Sequence, residues 1–212
     1  MKREIRTDII EKMFTVSSSN AFIISSLRLL LPIGKERFKC CIAGVLSLFP
    51  TIIMAISYDT IPLFLDSVQT SLEIILALFG IAFTGYALFQ ALIGKEMLIR
   101  MLQSITCKGG KEISKLQESN ELFAETMMLQ FLCIIGSFLL LVVLKCVPQD
   151  WCLFGNKTQN DFFAGVGIFI YFYVIFNAVI EIKSFVFNMI ELFNFHAGTR
   201  VIELLQESEK EN

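Results

Sequence analysis

Asn177, Glu181, Ser184, Asn188 and Glu191 succeed one another at spacings of four, three, four and three, so on a helix they form one continuous polar stripe. Two carboxylates and three neutral polar groups on a single face suit a wet path for ions or protons, or a seam that hydrogen-bonds a second helix and specifies an oligomer axis. The stretch runs without Gly or Pro from 168 to 195, and Phe185, Phe187, Met189, Ile190, Leu192 and Phe193 crowd its other positions. The plainer alternative is that the helix leaves an apolar environment near Glu181, which makes the last four polar residues merely cytosolic. The phenylalanines need burial in either case.

Other reactive residues form no constellation. His196 is the only histidine, and no Ser, Cys or Asp arrangement around it suggests a nucleophile with its base. Gly109-Gly110 is a turn, not a phosphate-cradling loop, because no Lys-Ser/Thr pair follows. The six cysteines are dispersed along the chain and lack the His or carboxylate partners of a zinc site. Only Cys146 and Cys152 share a side expected to be oxidising, so theirs is the one disulfide the topology allows. Glu73, Gln90 and Gln130 lie within apolar segments but are scattered in depth. Neither an enzyme, a cofactor nor a metal is expected.

The elements that carry these residues are membrane helices. Four apolar runs, 40–57, 72–93, 126–144 and 162–180, each approach the roughly 20 helical residues needed to cross a hydrocarbon core of about 30 Å. Of the 212 residues 55% are hydrophobic, 21 of them Phe, and the mean hydropathy is +0.66. A soluble domain is nearer 45–50% apolar. The formal charge of −2 offers no basic footprint for nucleic acid, so no direct nucleic-acid contact is expected.

Position matters more than total charge. Eight Lys and Arg precede residue 40, five lie in 94–125 and three follow Ile180, whereas 58–71 has none and the last connection has only Lys145 and Lys157. Cationic residues stay on the cytoplasmic side, so both termini and the middle connection are expected in the cytoplasm of a multi-pass protein of the inner (plasma) membrane. The fold class is all-α: four transmembrane helices, N-terminal amphipathic helices and a cytoplasmic helical hairpin extension.

Three regions follow. Residues 1–37 are expected to lie along the inner membrane face: 1–16 place Ile5, Ile9 and Met13 on one face, and 21–31 is too short to span and contains Arg28. Residues 38–195 form the bundle, kinked at Pro50 and packed through Gly80, Thr84, Gly85 and Ala91. Asp59, Pro62 and Asp66 mark 58–71 as a short outer loop. Beyond the second span Met97, Met101, Leu102 and Ile105 keep the helical period, and Ile113, Leu116 and Phe123 return, giving an antiparallel hairpin over 94–125. Its apolar stripe needs a cover, for which the N-terminal helices, the C-terminal tail, another copy of the chain or a different protein are the candidates; Met97, Met101, Leu102, Ile113 and Leu116 are the expected docking face for a partner. Residues 196–212 form a cytoplasmic tail with a frayed end.

This layout, with its basic Met1-Lys2-Arg3-Glu4-Ile5-Arg6 start, resembles the KwaA family, membrane subunits of the Kiwa anti-phage defence system. The resemblance implies a homo-oligomeric membrane sensor that recruits or restrains a cytosolic effector protein. The leading expectation is therefore an oligomeric scaffold or sensor, a tetramer in membrane lipid, docking a cytosolic partner through its inner face. A pore-forming or channel effector is the runner-up.

Overall fold

The computed structural model describes residues 19–33, 37–57, 59–108, 111–148 and 157–211. The amphipathic helix expected over 1–16, the Gly109-Gly110 turn and Cys152 lie outside the described residues. Among the described residues the chain forms six helices and one two-stranded ribbon: α1 (Ser19–Arg28), α2 (Arg37–Ile56), α3 (Thr60–Leu92), α4 (Lys95–Gln103), β1 (Ile105–Lys108), β2 (Lys111–Ser114), α5 (Lys115–Cys146) and α6 (Lys157–Glu211). Helices α2, α3, α5 and α6 are long and apolar enough to cross a membrane.

Helices α3 and α5 lie antiparallel, with Phe89 on Phe123 at a ring separation of 5.4 Å. Helix α6 runs parallel to α3, touching it and α5 along its length: Phe172 meets Phe64 at one end, and Phe185 meets Phe123 at 5.1 Å toward the ribbon. Helix α2 lies against α6, with Met54 in the cluster of Phe64, Val68, Ile168 and Phe172. Of the small residues on α3, Gly85 has the clearest packing role. A Cβ there would stand 3.0 Å from Phe185 Cζ, whereas one at Gly80 would meet nothing within 4 Å. Close approach of α3 and α6 is bought at that one position.

Pro50 lies inside α2, where it removes the amide that would otherwise serve the carbonyl of Leu46. The hydroxyls of Ser47 and Thr51 donate to the carbonyls of Ala43 and Ser47, at 2.5 and 2.7 Å, across the same turns. Three sequence expectations are corrected. The outer loop expected over 58–71 is helical from Thr60 onward, since Pro62 falls in the first turn, where a missing N–H costs little. The tail expected over 196–212 as a separate segment with a frayed end continues α6 to Glu211.

The third correction concerns the hairpin over 94–125. Helix α3 stops at Leu92, Ile93 and Gly94 are extended, and α4 is a separate helix of nine residues. Residues 105–114 pair as antiparallel strands, Thr106 opposite Ile113 and Lys108 opposite Lys111. β-branched Ile105, Thr106 and Ile113 favour a pleated strand, and two glycines between them suit a two-residue connection. Lys115 N–H donates to Ser104 C=O at 2.8 Å, closing the base of the ribbon. Ser114 then caps α5, its hydroxyl accepting the Gln117 N–H at 3.2 Å.

Candidate functional site

The polar residues of α6 do not share one environment. Asn177 and Glu181 are buried, Ser184 and Asn188 are half-buried, and Glu191 is exposed. The first two face the chain's own bundle. Glu181 forms an ion pair with Lys39 from the first turn of α2, the two side chains being 5% and 11% exposed. Asn177 Nδ2 donates to Tyr173 C=O at 2.8 Å, while its Oδ1 has no partner among the described residues. Asn188 Nδ2 donates to Ser184 C=O at 2.7 Å, and Glu191 stands 3.6 Å from Lys115 at the start of α5.

Other polar contacts tie α1 and α2 to the bundle on either side of the Lys39–Glu181 pair. Tyr173 OH donates to Leu30 C=O at 2.8 Å, and the Cys40 thiol faces the carbonyls of Leu29 and Leu30 at 3.9 and 3.7 Å. Ser25 on α1 donates to Glu125 on α5. Gln130 on α5 is completely buried, and both of its amide atoms lack a partner among the described residues. These contacts tie the short α1 to the bundle and lock the start of α2 onto α6. Opposite charges taken out of water in this way hold position strongly, because separating them would leave a buried charge alone.

The docking face expected on the middle segment is corrected as well. Met97, Met101 and Leu116 are buried in a cluster with Phe123, Phe185 and Met189, and Leu102 packs against it. Ile113 on β2 is also buried. The cover that this stripe requires is the chain's own α6. An open hollow of about 440 Å³ remains beside it, lined by Met101, Lys115, Glu191, Leu192, Asn194 and Phe195.

What stays uncovered is the other side of α6. Phe187, Ile190, Asn194, Ala197, Val201 and Leu204 are all exposed and follow one another at spacings of three, four, three, four and three. That is the repeat of a helix-pairing seam, with one polar residue inside it. Cys146 ends α5 and is exposed, and its expected partner Cys152 is outside the described residues. His196 is half-buried. Among the described residues no three His, Cys, Asp or Glu side chains stand close enough to hold a metal ion.

Sequence reasoning missed Lys39 as the partner of Glu181. The signal was available: Lys39 immediately precedes the first apolar run and Glu181 immediately follows the last. Antiparallel helices bring such ends to one depth. Comparison with protein-family models, with curated proteins and with solved structures finds no match for this chain.

Proposed function

We propose that this chain is a multi-pass protein of the inner (plasma) membrane, with both termini in the cytoplasm, that assembles into an oligomeric scaffold or sensor and docks a cytosolic partner. Membrane residence is supported by the outward faces of the four long helices, which carry large apolar side chains such as Val45, Phe49, Ile53, Phe83, Phe138 and Ile170 in exposed positions. In water such a surface would drive aggregation. The charge asymmetry of the connections supports the orientation.

The observation that carries the functional reading is the exposed seam on α6 from Phe187 to Leu204. It lies past Glu181, on the cytoplasmic side in this orientation, and its opposite face is filled by the chain's own core. A second copy of the chain fits it, because a 3-4 repeat with a single Asn is self-complementary and pairs in register. The assembled inner ends would then form the platform for an effector. Anti-phage defence is the setting implied by the resemblance to the Kiwa membrane subunits.

The test is the mass of the purified particle in lipid nanodiscs, for the wild type and for Ile190→Glu with Val201→Glu. The wild type is expected to be a multimer, with four copies the favoured number, and the variant to dissociate. A monomeric wild type, or a variant of unchanged mass, overturns the oligomer. A pore is the second reading, and the unpartnered amides of Gln130 and Asn177 inside the bundle favour it, since polar groups at membrane depth commonly face water. Ion flux into liposomes, abolished by Gln130→Leu, would decide for it.

A further inference from the structure

We propose that the corner between α1 and α2 binds an anionic phospholipid, with Arg28 and Arg37 holding the headgroup and the exposed apolar residues beside them taking the acyl chains. The inference rests on the membrane reading above and adds a ligand class to it.

Helix α1 has two apolar sides with different fates. Leu29 and Leu30, just past its end, pack on the cluster of Ile75, Leu129, Cys133, Ile175 and Ala178, Ser26 is fully buried, and Ser25 bonds to Glu125. Ile24, Leu27 and Leu31, spaced three and four residues apart, point away from the bundle and are exposed. Ile33 and Phe38 extend that surface onto α2, where Phe38 is 77% exposed, and it continues along Val45, Phe49 and Ile52. Ten residues make a helix of about 15 Å, half of what a bilayer core requires. Helix α1 therefore lies at the membrane edge with its outer stripe in the acyl region, and the level of the Lys39–Glu181 pair marks that edge.

Charge selects the headgroup. Arg28 is in the last turn of α1 and Arg37 in the first turn of α2, and both are exposed. Lys39 is paired with Glu181. Among the described residues of this corner that leaves two exposed arginines beside an apolar surface. Their placement is set by packing: Tyr173 OH on Leu30 C=O at 2.8 Å and the Cys40 thiol on the Leu29 and Leu30 carbonyls clamp the end of α1 to α6 and to the start of α2. Guanidinium groups bind a phosphate oxygen pair in a fork, and a net negative lipid satisfies them where a choline headgroup brings its own cation.

The full chain, purified in detergent, is titrated with short-chain phosphatidylglycerol or phosphatidylcholine and the bound lipid counted by native mass spectrometry. The wild type is expected to prefer phosphatidylglycerol by roughly tenfold to thirtyfold, the contribution of two cations at an anionic surface. Arg28→Gln with Arg37→Gln should remove that preference, while Arg100→Gln, on α4, should keep it. Equal binding of the two lipids by the wild type, or an unchanged preference in the double variant, overturns the site. Inorganic phosphate competing as well as the lipid at equal concentration also overturns it, in favour of a free-anion site. Extraction of membranes at alkaline pH keeps the two readings apart. A chain that washes off refutes the membrane reading and the lipid site together, whereas a retained chain without lipid preference refutes the lipid site alone.

Discussion

Replacing Lys39 by Met should destabilise the protein by about 3–5 kcal/mol, and replacing Glu181 by Leu should cost a similar amount, because each change breaks a buried ion pair from one side. The magnitude follows from the surroundings: the two side chains are 11% and 5% exposed, so water cannot replace the lost contact without a distortion of the bundle. Removing both together takes both charges of the pair out of the bundle. The double variant Lys39→Met with Glu181→Leu should therefore lie within about 1 kcal/mol of the wild type or above it, as apolar replacements of buried ion pairs commonly do. The double-mutant cycle then gives a coupling of about 3 kcal/mol or more. Unfolding in mixed micelles of fixed composition, followed by helical circular dichroism, reads all four proteins on one scale. Single variants that cost less than about 1 kcal/mol, or a double variant equal to the sum of the singles, would refute the buried pair as the lock between α2 and α6.

Two further outcomes follow from packing. Gly85→Ala should destabilise by about 1–3 kcal/mol in the same assay, since its Cβ would stand 3.0 Å from a Phe185 ring already wedged against Phe123; Gly80→Ala, with open space around it, should be neutral or stabilising. Gln130→Met should raise stability by about 1–3 kcal/mol, because an amide buried with both atoms unpartnered is exchanged for an apolar chain of similar volume. A loss of stability instead would mean that the Gln130 amide is satisfied by water in the bundle.

Long apolar runs were legible because lipid-scale helices leave a signal that depends on composition alone: each of the four runs matches one of the four long apolar helices, two of them lying inside it and two overrunning its end by one residue. The segment 94–114 was not legible by the same means. Its apolar residues Met97, Met101, Ile105 and Ile113 satisfy a helical period, but Gly94 and Ser104 break the chain and Ile105, Thr106 and Ile113 also satisfy the alternation of a strand. The two-glycine connection was the clue that should have decided it. At the site, the face that α6 presents could be read from spacing, yet its occupants could not. Spacing put Asn177 and Glu191 on one stripe, and the structure buries one and exposes the other because the bundle covers only part of the helix.

That partial cover is why α6 carries the functional reading. Along its second half Phe185, Met189, Leu192 and Thr199 are buried, and Phe187, Ile190, Asn194 and Val201 are exposed. At about 100° per residue the mean direction of the second row lies on the far side of the helix from that of the first. A helix apolar on opposite sides is stable only between two partners. Among the described residues the chain supplies one of them, through α3, α4 and α5, and leaves the outer row open. Since α6 contains no Pro and runs unbroken from Lys157 to Glu211, whatever occupies the outer row holds the same rigid element that Lys39 holds through Glu181.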